Sequence, residues 1–86
     1  MKDGRIYFVI NEKETHDSRL IGFTRQGQKM DYIFFVNRSS DTVQLENISQ
    51  ILSRFEDFQP FYGGFMNDAI TVKPYGYTII KAKFIE

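Results

Sequence analysis

The chain has 86 residues, one domain's worth at roughly 100–200 residues per domain, and too few for an enzyme with catalytic and cofactor modules on separate lobes. Apolar residues make up 42% and aromatic residues 16%, with nine Phe and five Tyr, a composition that excludes a disordered chain. Eleven basic residues balance eleven acidic ones for a net charge of +0, which removes the long-range field expected of a nucleic-acid or anionic-membrane binder.

The absence of cysteine excludes a disulfide framework, a thiol nucleophile and a thiolate metal site, and it leaves the compartment open. No apolar run approaches the ~18–20 residues that span a bilayer, so no membrane partner is expected. No period, linker or low-complexity tract divides the sequence, so residues 1–86 read as a single domain.

In chain order, Arg5 to Ile10 is a run of β-branched and aromatic residues that reads as a strand, followed by a polar loop from Asn11 to Ser18. Leu20 to Arg25 reads as a second strand, Gln26 to Lys29 as a turn, and Met30 to Asn37 as a third strand paired with it in a hairpin. In the third strand Tyr32, Phe34 and Val36 share one face, while Ile33 and Phe35 share the other. Large apolar groups on both faces predict a central strand covered on both sides.

The polar stretch Asn37 to Asp41 predicts a turn, and Thr42 to Leu45 a short strand. Ile48, Ile51, Leu52 and Phe55 then fall at i, i+3, i+4 and i+7, with Asn47 and Gln50 spaced as a capping pair, which predicts a turn or two of helix. From Phe55 to Tyr62 the pattern is strand-like, but Pro60 confines it to a sheet edge, and Gly63-Gly64 breaks it. Ala69 to Val72 reads as a strand and Lys73-Pro74-Tyr75-Gly76 as a type I turn. Tyr77 to Phe84 is the last strand, with Ile80, Ala82 and Phe84 on the face opposite Lys81 and Lys83. About seven or eight short strands with at most one short helix predict an all-β, antiparallel two-sheet Greek-key β-sandwich.

Few residues have the makings of a reactive centre. His16, between Glu14 and Asp17, is the lone imidazole; a metal there would need both carboxylates and a further ligand, and a solvated loop histidine is the simpler reading. No Gly-x-Ser-x-Gly elbow accompanies it. Glu56 and Asp57 are adjacent, so on a strand they point to opposite faces and could not flank a glycosidic bond. Gly63-Gly64 lacks the Lys-Ser or Lys-Thr of a phosphate loop. Asn37-Arg38-Ser39 and Asn47-Ile48-Ser49 match the N-glycosylation pattern, though turn and cap chemistry explains both asparagines. No catalytic residue, metal or cofactor is therefore expected.

The aromatic residues offer a binding alternative. Phe58, Phe61, Tyr62 and Phe65 crowd one segment and Tyr75 sits at a turn tip, and flat exposed rings can hold sugar rings by stacking. Core packing or burial in a partner interface is the competing reading, since fourteen aromatics in so short a chain need somewhere to be buried.

The order of these pieces resembles a known family. Gly4-Arg5-Ile6, Ile21-Gly22-Phe23-Thr24-Arg25, Tyr32 through Ser39, and Ile70 through Lys81 with its Lys73-Pro74-Tyr75-Gly76 turn look like the C-terminal β-sandwich of alpha-amylase-family glycoside hydrolases of the oligo-1,6-glucosidase, neopullulanase and maltogenic amylase type. The likeness runs from Gly4 to Lys83, with Asn47 to Phe55 the least matched part. It implies a non-catalytic accessory domain whose partner is an upstream catalytic barrel of the same polypeptide, with an α-glucan oligosaccharide as the alternative ligand, held on Phe58, Phe61, Tyr62 or Tyr75. The family's catalytic motifs match nothing in this chain. The likeness also implies structural roles for Asn37, in the turn after the central strand, and for Pro74 and Gly76, in the turn into the last strand.

Overall fold

Alternation of β-branched or aromatic residues with polar ones builds strands that bury one face, and here they assemble into two antiparallel sheets. In this computed structural model residues 6–10, 12–15 and 17–85 are described. In chain order the elements are β1 (Ile6–Ile10), α1 (Glu12–Thr15), β2 (Leu20–Arg25), β3 (Asp31–Asn37), β4 (Val43–Leu45), α2 (Ile48–Ile51), β5 (Phe55–Tyr62), β6 (Gly64–Met66), β7 (Ala69–Val72) and β8 (Tyr77–Phe84). One sheet has five strands in the order β1-β2-β3-β8-β5, and the other has three in the order β4-β7-β6. The chain crosses between them from β3 to β4, β4 to β5, β5 to β6 and β7 to β8, the interlocked connections of a Greek-key sandwich. The fold is the expected all-β sandwich.

The core lies between the sheets. Leu20, Ile33, Phe35, Ile80 and Ala82 enter it from the five-stranded sheet, and Val43, Leu45, Ile70 and Val72 from the three-stranded one. Ile48 and Leu52, from α2 and the residue after it, close one end beside Phe55. Each of these larger side chains contributes roughly 1.5–3 kcal/mol by leaving water, and Phe35, fully buried in the middle strand, has the largest volume among them.

Asn37, at the end of β3, ties the two sheets together. Its backbone N–H donates to the Gly76 carbonyl at 2.9 Å. Its side-chain amide donates to the carbonyls of Asp41 at 2.6 Å, Val72 at 3.2 Å and Lys73 at 3.1 Å, and its Oδ1 accepts from the N–H and hydroxyl of Ser39. A side chain engaged and buried in this way is no open glycosylation acceptor.

Several local expectations need correction. The stretch read as a loop after β1 contains one helical turn, α1; residues 1–5, 11, 16 and 86 lie outside the described set. Asn47 adopts a left-handed conformation, φ 60°, and makes no side-chain cap. α2 is capped from across the fold instead. The Asp68 backbone carbonyl accepts from the Ile48 N–H, and its carboxylate accepts from the Ser49 N–H at 2.9 Å and the Ser49 hydroxyl at 2.8 Å.

The turn at Lys73–Gly76 closes through Gly76 N–H to Lys73 O at 2.9 Å, but Tyr75 at its third position has φ 53°. A positive φ there belongs to a type II turn, not to type I. Pro74 occupies the second position of the turn. The left-handed Tyr75 sends its N–H to Ser39 O at 3.0 Å, a contact that joins this turn to the one after β3. Finally, β3 is central as expected but, among the described residues, covered on one side only, which defines the candidate site.

Candidate functional site

The burial of β3 alternates strictly: Asp31, Ile33, Phe35 and Asn37 are buried, whereas Tyr32, Phe34 and Val36 are half-buried. The second set points away from the core, and strand register extends it into cross-strand rows. Arg25, Tyr32, Lys81 and Gln59 form one row, Phe23, Phe34, Ile79 and Tyr62 a second, and Ile21, Val36 and Tyr77 a third. Apart from Ile79, every side chain in these rows is half-buried or exposed. The result is an aromatic outer face on β2, β3, β8 and β5 with no second layer of described residues over it.

Ring contacts order the face. Phe23 and Phe34 stack with centroids 4.8 Å apart and planes 10° apart, and Tyr62 and Tyr77 stack at 5.0 Å and 23°. Tyr32 meets Phe61 edge-on at 5.1 Å, and the Lys81 ammonium sits 5.8 Å above the Phe61 ring. Such contacts add roughly 0.5–1.5 kcal/mol each beyond area burial and hold the rings in fixed poses. A shallow depression of about 380 Å³ opens among Arg25, Gln26, Tyr32, Phe34 and Phe61. A second, of about 450 Å³, lies beside Tyr62 and Tyr77 over Gly63, Gly64 and Gly76, with Lys73 among its lining residues.

The bulges of β5 divide the aromatic segment between two surfaces. Against β8 the register shifts once between Glu56 and Gln59, around Asp57 with φ 57°, and again between Pro60 and Tyr62. Each shift inserts one extra residue and reverses the alternation. Phe58 therefore packs on the core, as does Phe65 in β6, while Phe61 and Tyr62 stand on the outer face, 55% and 54% exposed. Tyr75 is exposed on its turn and, among the described residues, makes no ring contact with the others. Of the four residues read as a sugar platform, the structure thus brings together Phe61 and Tyr62 and separates Phe58 from them.

The outer face recruits residues that the sequence did not single out for a site: Tyr77, Phe23, Tyr32, Phe34 and Lys81. The signal was available in the double-sided apolar pattern of β3 and its repetition in β2. Elsewhere, the Asp17 carboxylate is gripped by Arg19 at 3.0 and 2.8 Å, and this hydrogen bonding holds its pKa below the usual carboxylate range. Glu56 and Asp57 are both exposed. Among the described residues no three His, Asp or Glu side chains gather as a metal site; His16 lies outside them.

Comparison of the chain with family models, with curated proteins and with solved structures gave no match.

Proposed function

We propose that the chain is a non-catalytic accessory β-sandwich, the C-terminal domain of an α-glucan-acting glycoside hydrolase of the alpha-amylase family, which docks on the catalytic barrel and stabilises it. The observation that carries this reading is the aromatic outer face of the five-stranded sheet. Four strands about 4.8 Å apart and some seven residues long present a footprint on the order of 400 Å². Covering it from both sides would bury on the order of 800 Å², within the usual range for inter-domain contacts, and contiguous exposed apolar surface of this order is often an interaction surface. The choice of a barrel as occupant comes from the ordered motif resemblance between Gly4 and Lys83.

The test is the reading frame upstream of Met1. A continuous frame encoding a (β/α)8 barrel supports the proposal, and an in-frame stop directly before a native start site overturns it.

A second reading is supported by the Tyr62–Tyr77 pair, whose rings are half exposed beside an open cleft. On this reading the sandwich is a carbohydrate-binding module for starch-like oligosaccharides. Titration with maltoheptaose, followed by amide shifts, separates the two: saturable shifts centred on Tyr62 and Tyr77 at a Kd of about a millimolar or tighter favour the module.

A further inference from the structure

The cleft of about 450 Å³ beside Tyr62 and Tyr77 has, among the described residues that line it, one charged side chain, Lys73, and no carboxylate. Lys73 is exposed and makes no ion pair among the described residues. Hydroxyls stand open beside it. The phenols of Tyr62 and Tyr77 and the Thr71 hydroxyl make no hydrogen bond among the described residues, whereas the Thr78 hydroxyl is committed to Thr71 O at 2.8 Å. Gly63, Gly64 and Gly76 also line the cleft, so over that part of it no side chain separates an occupant from the backbone. An ammonium and three uncommitted hydroxyls, with no negative group among them, complement a ligand that carries negative charge.

The ring geometry narrows what else that ligand carries. Tyr62 and Tyr77 stack at 5.0 Å, and a flat ring inserted between them would need about 7 Å, twice the ~3.5 Å contact between carbons. The pair is closed as a slot for an aromatic guest. It offers outer ring surface instead, since the two side chains are 54% and 50% exposed. The C–H face of a sugar can lie on such a surface while its hydroxyls meet the phenols and Thr71.

We propose that this cleft takes an anionic saccharide, a sugar ring bearing a phosphate or a carboxylate, with the ring against Tyr62 and Tyr77 and the anionic group on Lys73. The proposal rests on the carbohydrate-binding reading above and changes its ligand from a neutral sugar to an acidic one. Lys73 sets this preference, and the tyrosines supply the surface common to both kinds of sugar.

The experiment is a set of amide-shift titrations of the chain with glucose, glucose 6-phosphate, glucuronate, inorganic phosphate and maltoheptaose. The expected result is saturable shifts at Gly63, Gly64, Gly76 and Tyr77 with both acidic sugars, each bound at least about threefold more tightly than glucose, the advantage that one exposed charge pair confers. Both should also bind more tightly than inorganic phosphate. Lys73→Gln changes only an exposed side chain, so it should leave the spectrum outside the cleft and the affinity for glucose unchanged while abolishing the advantage of the acidic sugars. Glucose bound as tightly as the acidic sugars, or an advantage that survives Lys73→Gln, overturns the proposal. Inorganic phosphate bound as tightly as glucose 6-phosphate reduces the cleft to a bare anion site and overturns it too. Shifts with maltoheptaose and none with the acidic sugars overturn the proposal while leaving the carbohydrate reading in place. Silence at the cleft with every sugar removes both.

Discussion

The side-chain amide of Asn37 donates to the backbone carbonyl of Val72 at 3.2 Å, so the last residue of the central strand in one sheet is bonded to the last residue of the middle strand in the other. The same amide holds Asp41 and Lys73, and its oxygen holds Ser39. Each buried bond contributes only about 0.5–1.5 kcal/mol, but a buried group left without its partner costs roughly 1–3 kcal/mol. Asn37→Ala should therefore destabilise the chain by about 3 kcal/mol or more. Asn37→Asp should be at least as damaging, because a carboxylate would face three carbonyl oxygens with no hydrogen to donate. Urea titrations with an unchanged m-value would measure both, and a loss below about 1 kcal/mol for either would show that the network is dispensable.

Adjacent phenylalanines in β3 should respond differently to truncation. Phe35 is fully buried between the sheets, and Phe35→Ala should cost about 3–5 kcal/mol. Phe34 is half-buried on the outer face and stacked on Phe23, so in the isolated chain Phe34→Ala should cost about 1–2 kcal/mol, mostly the stacking and partial burial. Chemical denaturation of the two variants side by side decides this. Equal losses would mean that the outer face is as well buried as the core.

How far the sequence reveals this arrangement depends on whether local pattern or distant contact decides each element. β2, β3 and β8 are legible because period-2 alternation survives along them, and β3 even shows a second apolar face. The corner at Gly63 and the β6–β7 hairpin are not, because Gly63-Gly64 reads as an interruption. In fact Gly64–Met66 pairs with Ala69–Val72 across a two-residue loop, Asn67-Asp68, both left-handed with φ 54° and 62°, the conformation of a type I′ turn. Asp68 then caps α2 nineteen residues away in sequence, a contact that no local spacing around Asn47 could disclose. For the candidate site, Phe61 and Tyr62 were visible as aromatics, but their separation from Phe58 depends on two bulges that appear only in the register against β8.

Asp17 and Arg19 supply a pH-dependent contact. The guanidinium donates two hydrogen bonds to the carboxylate and lowers its pKa, with Asp41 a further 3.9 Å neighbour of Arg19. A carboxylate whose folded pKa is depressed adds stability that is present above its unfolded value of about 3.9 and is lost as pH falls through the folded value. The Arg19 side chain is 43% exposed and that of Asp17 18%, so solvent screening keeps the gain small. Carboxyl-carbon NMR should give Asp17 a midpoint below that of an ordinary aspartate, and Arg19→Met should return it to normal. An unchanged midpoint in that variant would remove Arg19 as the cause.

Two left-handed positions should give mutational effects of opposite sign. Gly63, at the corner where the chain leaves β5 for β6, has φ +89°, and a Cβ there would stand 2.7 Å from the Thr78 hydroxyl oxygen. That hydroxyl donates to Thr71 O at 2.8 Å and so fastens β8 to β7 across the sheets. Gly63→Ala therefore combines backbone strain with the displacement of a cross-sheet hydrogen bond, and a loss of about 2 kcal/mol or more follows. Tyr75 also has a positive φ, 53°, but its side chain is 73% exposed and touches little. A non-glycine residue in this conformation carries roughly 1–2 kcal/mol of strain, which Tyr75→Gly relieves at a smaller cost in unfolded-chain entropy. The net gain should be about 0.5–1 kcal/mol, whereas the β-branched Tyr75→Val should be destabilising. Thermal unfolding of the three variants tests the argument as a set. A stabilised Gly63→Ala would show that the corner is not sterically closed, and a destabilised Tyr75→Gly would mean that the Tyr75 ring contributes contacts that outweigh its backbone strain.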